Sequence, residues 1–132
     1  MSSGKMRPVS ILIVDDYHDT ADSLALLLRH EGHDVRAAYD GAHALALLNG
    51  WQPEVVFLDL LMPGLDGFDV VEALQADPVT ADIPIVILTS KTIEAADLER
   101  LNSHVAHLAE KGRFSRAEFV ELVRRCYHAP VT

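Results

Sequence analysis

Three aspartates follow two short apolar segments of this 132-residue chain. Asp15 and Asp16 come directly after residues 10–14, and Asp59 comes directly after residues 55–58. If the two segments are neighbouring parallel strands, their carboxyl ends lie at one edge of a sheet and the three carboxylates meet there. Carboxylates held together repel each other unless a cation lies among them. A hard divalent ion with oxygen ligands, of which Mg²⁺ is the best candidate, suits such a site.

A hydroxyl and an amine are the next candidates for chemistry. Thr89 follows the apolar residues 85–88, and Lys111 follows a weaker apolar segment, 105–109. A metal ion and a lysine neutralise charge on phosphoryl oxygens, while a hydroxyl donates a hydrogen bond to them. A carboxylate such as that of Asp59 is a nucleophile in this chemistry and yields an acyl phosphate. The chain lacks the Gly-x-x-x-x-Gly-Lys-Ser/Thr loop that holds a nucleotide, so ATP is not the expected donor.

Short apolar segments alternate with segments of helical spacing along the chain. The predicted strands are residues 10–14, 35–39, 55–58, 85–88 and 105–109. The predicted helices are residues 20–30, 42–49, 68–74, 92–101 and 115–127, and Gly32 is expected to stop the first of them. Strands that are apolar on both faces belong in a parallel sheet covered by helices on both sides. Right-handed crossovers then give a doubly wound α/β domain.

The composition limits the functional classes. Hydrophobic residues make up 49% of the chain and charged residues 23%, which suits one compact domain. The formal net charge of −9 repels phosphate backbones, so nucleic-acid binding is not expected. Cys126 is the only cysteine, and no segment has the pattern of a signal peptide or the length of a membrane-spanning helix. We therefore expect a cytoplasmic protein that binds no membrane.

Four groups of residues give the chain a resemblance to a known family. They are Ile13-Val14-Asp15-Asp16, the decapeptide LDLLMPGLDG at 58–67, Ile87-Leu88-Thr89-Ser90, and Lys111. In this order and spacing they resemble the receiver domain of bacterial two-component response regulators, of the stand-alone single-domain type. The resemblance implies that residues 9–128 form a receiver domain, with flexible ends at 1–8 and 129–132. It also implies a flavodoxin-like (βα)5 fold with a five-stranded parallel sheet in the order 2-1-3-4-5.

The same resemblance implies a role for each site residue. Asp59 would be phosphorylated by a histidine kinase or a histidine phosphotransfer protein. The implied Mg²⁺ ligands are the carboxylates of Asp15, Asp16 and Asp59 and the backbone carbonyl of Leu61. Thr89 would donate a hydrogen bond to the phosphoryl group, and Lys111 would pair with it. Such a domain catalyses only its own limited phosphorylation and dephosphorylation, so it is not classed as an enzyme.

The resemblance also implies how the signal leaves the domain. The face made by the fourth helix, the fifth strand and the fifth helix would bind a downstream protein, and a homodimer can form through the last helices. Two residues depart from the family pattern on the way to this face. Leu108 stands where an aromatic residue is usual, and Gly112 stands where proline is usual. These departures motivate a first alternative, a pseudo-receiver that binds proteins without being phosphorylated.

A second alternative is an aspartyl-phosphate hydrolase, which usually has an acid two residues after its nucleophile; Leu61 holds that position here. The pairs His30/His33 and His104/His107 suggest a metal site, but zinc needs four ligands and no third histidine or cysteine lies at matching spacing. We therefore expect these four histidines to lie on the surface.

Overall fold

The computed structural model describes residues 8–60, 67–89, 107–110 and 121. In chain order its elements are β1 (Ser10–Val14), α1 (His18–His30), β2 (Asp34–Ala38), α2 (Gly41–Leu48), β3 (Val55–Asp59), α3 (Gly67–Ala76), β4 (Ile85–Thr89) and β5 (His107–Glu110). The predicted fourth helix, the residues Leu61, Lys111 and Gly112, and the predicted ends at 1–8 and 129–132, except residue 8, lie outside the described residues. Of the predicted last helix, only Glu121 is described, and it is helical.

The five strands form one parallel sheet in the order β2-β1-β3-β4-β5, as predicted. β3 lies at the centre, between β1 and β4, and all five of its residues are buried. Val14 lies opposite Leu58 where β1 pairs with β3, and Asp59 lies opposite Leu88 where β3 pairs with β4. The carboxyl ends of the three central strands therefore lie next to one another.

Alternating side chains of the strands contribute to two separate cores, one on each face of the sheet. From β3, Val56 and Leu58 join the core that contains the buried residues of α2 and α3, whereas Val55 and Phe57 join the core that contains those of α1. Because both faces of the sheet are covered, residues 11–14 of β1 and residues 55–58 of β3 are apolar on both faces, which explains these continuous apolar segments in the sequence. The described helices lie on both faces of the sheet, which confirms the doubly wound class.

The predicted boundaries are correct to within about two residues, the usual spread of helix and strand ends. Asp59 is the last residue of β3 rather than the first residue after it, and Tyr39 lies outside β2. Gly32 has φ +101° and donates its amide to the carbonyl of Arg29, so it ends α1 as predicted. Asp40 is the N-cap of α2: its side chain accepts a hydrogen bond from the backbone N of His43 at 2.7 Å.

The expectation of surface histidines is wrong for His33. This side chain is only 8% exposed, and its Nδ1 accepts a hydrogen bond from the backbone N of Val9 at 3.1 Å. His33 follows the turn at Gly32, which places its side chain beside the backbone N of Val9, the residue before β1. His33 therefore serves as a buried hydrogen-bond acceptor. Burial lowers the pKa of His33 below its ordinary value of 6.5, while Glu31 partly opposes this effect. Among the described residues, no helix is both long and apolar enough to cross a bilayer.

Candidate functional site

The carboxyl edge of the sheet brings the three predicted aspartates together. Asp15 and Asp16 follow β1, and Asp59 is the last residue of β3. One carboxylate oxygen from each aspartate lies within 4.8 Å of the other two. Asp15 and Asp59 are each 3% exposed, whereas Asp16 is exposed to solvent. The cluster therefore has a buried side within the protein and an open side at Asp16.

Three carboxylates this close fit a hard divalent cation. Two unit charges about 4 Å apart near a protein surface interact by about 4 kcal/mol, so the repulsion within the cluster is large on the scale of protein stability. Oxygen atoms bound to one Mg²⁺ at about 2.1 Å are at most about 4.2 Å apart. Small side-chain rotations would therefore bring the three oxygens around one ion. The donor set is all oxygen, and the open side at Asp16 leaves access for water, as Mg²⁺ prefers.

Asp15 also shapes the turn that carries the cluster. Its backbone N donates to the carbonyl of Ala38 at 3.0 Å, which ties the end of β1 to the end of β2. Its Oδ1 accepts a hydrogen bond from the backbone N of Tyr17 at 2.9 Å, which closes a turn around Asp16. An aspartate pair after a strand is often no more than such a turn. Here one side chain forms the turn and also belongs to the acidic cluster.

An aromatic contact holds the far end of the same segment. His18, the first residue of α1, stacks on Tyr39 with ring centroids 3.9 Å apart and an interplanar angle of 29°. The hydroxyl of Tyr39 donates to Oδ1 of Asp22 at 2.6 Å, and this hydrogen bond raises the pKa of Tyr39 above its ordinary value of 10.0. The segment between β1 and α1 is therefore held at Asp15 by the backbone and at His18 by the stack.

Gly67, the first residue of α3, lies directly against the end of β3. A Cβ atom built on Gly67 would lie 2.5 Å from the carbonyl oxygen of Asp59 and 2.6 Å from the Cα of Leu60. The backbone N of Gly67 donates to the carbonyl of Leu60 at 3.2 Å. In the sequence, Gly67 stands out only as the last residue of the decapeptide at 58–67. In the structure it allows a helix to approach the strand that ends in Asp59.

The remaining predicted site residues are placed by the backbone alone. Thr89 is the last residue of β4 and lies opposite Glu110 of β5. It is one residue beyond Leu88, the partner of Asp59, so its backbone lies at the same edge of the sheet. Lys111 directly follows Glu110 in the chain but lies outside the described residues, as does Leu61. The roles of Thr89, Lys111 and Leu61 remain predictions.

Comparison with known proteins identifies the family. The family model for the response regulator receiver domain matches residues 11–124. The chain therefore belongs to the response regulator receiver domains of two-component systems.

The receiver domain of the Francisella response regulator 1452 is similar in structure, with a TM-score of 0.79 and 28% identity over 91% of this chain and 97% of that one. The receiver domain of a signal transduction histidine kinase from Syntrophus aciditrophicus has a TM-score of 0.81 and 25% identity, covering 94% of each chain.

Among curated proteins, the DNA-binding response regulator MtrA of Mycolicibacterium smegmatis is similar to part of the chain. It is 44% identical over 82 residues, which are 62% of this chain and 35% of that protein. The chain thus matches about a third of the length of the curated relatives. The name of this relative describes MtrA, and not this chain, as DNA-binding.

Two features of the site were missed in the sequence. The close approach of Gly67 has a signal only in hindsight, because the glycine occupies a helix position where alanine is the better helix former. The stack between His18 and Tyr39 joins residues 21 positions apart, at the start of α1 and just after β2. No local spacing pattern connects such residues; only the parallel pairing of β1 with β2 brings them together.

Proposed function

We propose that Asp59 is the phosphoacceptor of a two-component phosphorelay, phosphorylated by a histidine kinase or a histidine phosphotransfer protein in a Mg²⁺-dependent reaction. The observation that carries the proposal is the convergence of three carboxylates within 4.8 Å at the carboxyl edge of the sheet. Asp59 belongs to the central strand and is 3% exposed, so its position is well defined by its neighbours. Membership of the receiver family supports the class of phosphodonor.

The proposed transfer is a displacement at phosphorus. A carboxylate oxygen of Asp59 forms the new P–O bond while the P–N bond to the partner's histidine breaks, and the leaving imidazole nitrogen takes up a proton. The product is an acyl phosphate on Asp59. Bound Mg²⁺ supplies neutralisation of the charge on the phosphoryl oxygens. The residues proposed to hold the ion are Asp15, Asp16, Asp59 and the backbone carbonyl of Leu61.

Thr89 and Lys111 are proposed to bind the phosphoryl group once it is on Asp59. The Thr89 hydroxyl donates a hydrogen bond to one phosphoryl oxygen, and the Lys111 ammonium pairs with another. The backbone register supports both roles, because Thr89 ends the strand next to Asp59 and Lys111 follows Glu110, the partner of Thr89. The side chains of phosphorylated residues carry about −1.5 to −2 charge at neutral pH, so the group is a strong anchor for both donors.

The proposed output is a change in protein binding. Phosphorylation alters the face made by the predicted fourth helix, β5 and the predicted fifth helix, and so alters its affinity for a downstream protein or for a second copy of the chain. A net charge of −9 supports a protein rather than a nucleic acid as the direct partner of this domain. We propose that the domain acts in the cytoplasm and catalyses no reaction other than its own phosphorylation and dephosphorylation.

Labelling with a small phosphodonor tests the proposal. The protein is incubated with acetyl phosphate and Mg²⁺, and its intact mass is measured. We expect the mass of one phosphoryl group to be gained by the wild type and by Asp82→Asn, a matched change at an exposed aspartate before β4. Asp59→Asn, or replacement of Mg²⁺ by a chelator, should abolish the gain. A gain that persists in Asp59→Asn would show that the phosphoacceptor is another residue.

The pseudo-receiver is the second candidate, and Leu108 and Gly112 favour it. Leu108 lies within β5, opposite Ile87, at the position where the family usually has an aromatic residue. A pseudo-receiver would gain no mass with Mg²⁺ and acetyl phosphate, and its wild type and Asp59→Asn variant would bind a partner equally well. Labelling that depends on Asp59 excludes this candidate.

A further inference from the structure

We propose that Gly67 is a positioning residue for the aspartate cluster. Because it has no side chain, the first turn of α3 can press against the peptide group that follows Asp59 and hold it in place. The inference rests on the proposed function, since it concerns the metal affinity and phosphorylation of the same cluster. It goes further by assigning a role to a residue that touches neither the metal nor the phosphoryl group.

The contact at Gly67 cannot accommodate a side chain. Real Cβ atoms essentially never come within 3.0 Å of a heavy atom outside their neighbours, yet a Cβ on Gly67 would lie 2.5 Å from the Asp59 oxygen and 2.6 Å from the Leu60 Cα. A third atom, the Asp59 carbonyl carbon, would lie at 3.1 Å. All three belong to the main chain, so no flexible side chain can rotate away. Any residue other than glycine must displace either α3 or the end of β3.

Neither element can move freely. β3 is hydrogen-bonded to β1 on one side and to β4 on the other, and all of its residues are buried. α3 inserts Val70, Val71 and Leu74, each no more than 2% exposed, into one of the two cores. Closely packed interiors transmit strain rather than absorb it. A side chain at residue 67 would therefore displace the peptide group between Asp59 and Leu60, where the two elements touch.

Displacement of this peptide alters the geometry of the cluster. Asp15 and Asp16 are held by a different strand, and Asp15 is tied to Ala38 by its backbone N. The Asp59 carboxylate would therefore shift relative to two partners that do not shift with it. Metal affinity depends on these oxygen–oxygen separations, and loss of a residue that orients ligands commonly weakens binding on the order of 10–100-fold.

Three variants separate this role from a general effect on stability. Gly67→Ala introduces the clash. Gly50→Ala makes the same chemical change where a Cβ would have no heavy atom within 4 Å. Val70→Ala weakens the packing of the same helix at a residue that is 0% exposed, without adding a side chain at residue 67. Mg²⁺ affinity is measured by calorimetry below the unfolding transition of each variant, and unfolding by urea is measured without metal.

We expect Gly67→Ala to weaken Mg²⁺ binding by about tenfold or more, and Gly50→Ala and Val70→Ala to leave it within about twofold of the wild type. Equal Mg²⁺ affinity for Gly67→Ala and the wild type overturns the inference and leaves the proposed function intact. An equal loss in Gly67→Ala and Val70→Ala also overturns it, because the loss would then follow from stability alone. A wild type that binds no Mg²⁺ overturns the proposed function itself.

Amide exchange in the wild type provides a second measurement in case Gly67→Ala does not fold. The backbone N of Gly67 donates to Leu60, and that of Gly50 donates to Leu47 at 3.4 Å. If the contact at Gly67 and the metal site depend on each other, Mg²⁺ should slow exchange at Gly67 and leave exchange at Gly50 unchanged. Exchange at Gly67 that is the same with and without saturating Mg²⁺ overturns the inference.

Discussion

The two edges of the sheet arrange their polar groups in opposite ways. At the carboxyl edge, three carboxylates of the same charge are gathered within 4.8 Å. At the amino edge, donors meet acceptors: the backbone N of Val9 donates to Nδ1 of His33, and the backbone N of Ser10 donates to Oε1 of Glu54, each at 3.1 Å. Glu54 in turn donates its backbone N to the Ser10 carbonyl at 2.7 Å.

The two edges contribute to different properties of the domain: the amino edge to its stability, and the carboxyl edge to ligand binding. Paired polar groups at the amino edge satisfy backbone atoms that would otherwise be buried without partners, so they stabilise the fold. Like charges at the carboxyl edge repel one another, and a cation bound beside them would offset that repulsion. Substitutions at the two edges should therefore act in opposite directions. Removal of a negative charge at the carboxyl edge should reduce binding and raise stability, and loss of an acceptor at the amino edge should reduce stability and spare binding.

Asp16→Asn is the strongest test at the carboxyl edge. The change removes a negative charge and one proposed ligand, so we expect Mg²⁺ affinity to fall by about tenfold or more. Relief of repulsion should raise the metal-free unfolding free energy by about 1–4 kcal/mol, the range from bulk water to a protein surface for two unit charges about 4 Å apart. Calorimetry and urea unfolding measure the two effects, with Asp82→Asn as the control. A variant that binds Mg²⁺ normally would show that Asp16 is not a ligand.

His33→Ala is the corresponding test at the amino edge. It leaves the buried backbone N of Val9 without its acceptor, so we expect the unfolding free energy to fall by about 1–3 kcal/mol. Mg²⁺ affinity should not change, because His33 lies at the opposite edge from the aspartates. His33→Asn is the matched variant, since its side-chain oxygen can accept the same hydrogen bond without titrating. A His33→Ala variant that loses Mg²⁺ binding while still folded would contradict the separation of the two edges.

The same histidine predicts how stability depends on pH. Burial lowers the pKa of folded His33 below its ordinary value of 6.5, so below pH 6.5 the unfolded chain binds the proton more readily than the folded chain. The stability contributed by neutral His33 is thus present above pH 6.5 and is lost as the pH falls from 6.5 through the folded pKa. Urea unfolding from about pH 8 to about pH 5 should show a steeper loss for the wild type than for His33→Asn. Parallel curves would show that His33 does not titrate in this way.

The sequence predicted the carboxyl edge better than the amino edge for a physical reason. The apolar segments at 10–14 and 55–58 end abruptly in aspartates, and neighbouring parallel strands place such residues together at one edge of the sheet. His33 gives no comparable signal, because its acceptor role arises only when the turn at Gly32 brings it under Val9, 24 residues away in the chain. Gly67 is similar: its contact with Asp59 depends on how α3 docks on the sheet.

Substitutions of Tyr39 should change Mg²⁺ affinity less than Asp16→Asn does. Tyr39 holds the segment that carries Asp16 but adds no charge to the aspartate cluster. Tyr39→Phe removes the hydroxyl that donates to Asp22 but keeps the ring that stacks on His18. Exposed polar contacts contribute little, so we expect Mg²⁺ affinity to stay close to that of the wild type. Tyr39→Ala removes the stack as well and releases one end of the segment that carries Asp16, so we expect a loss of several-fold. Calorimetry on both variants measures the difference. If Tyr39→Phe loses as much affinity as Tyr39→Ala, then the hydrogen bond, and not the stack, positions Asp16.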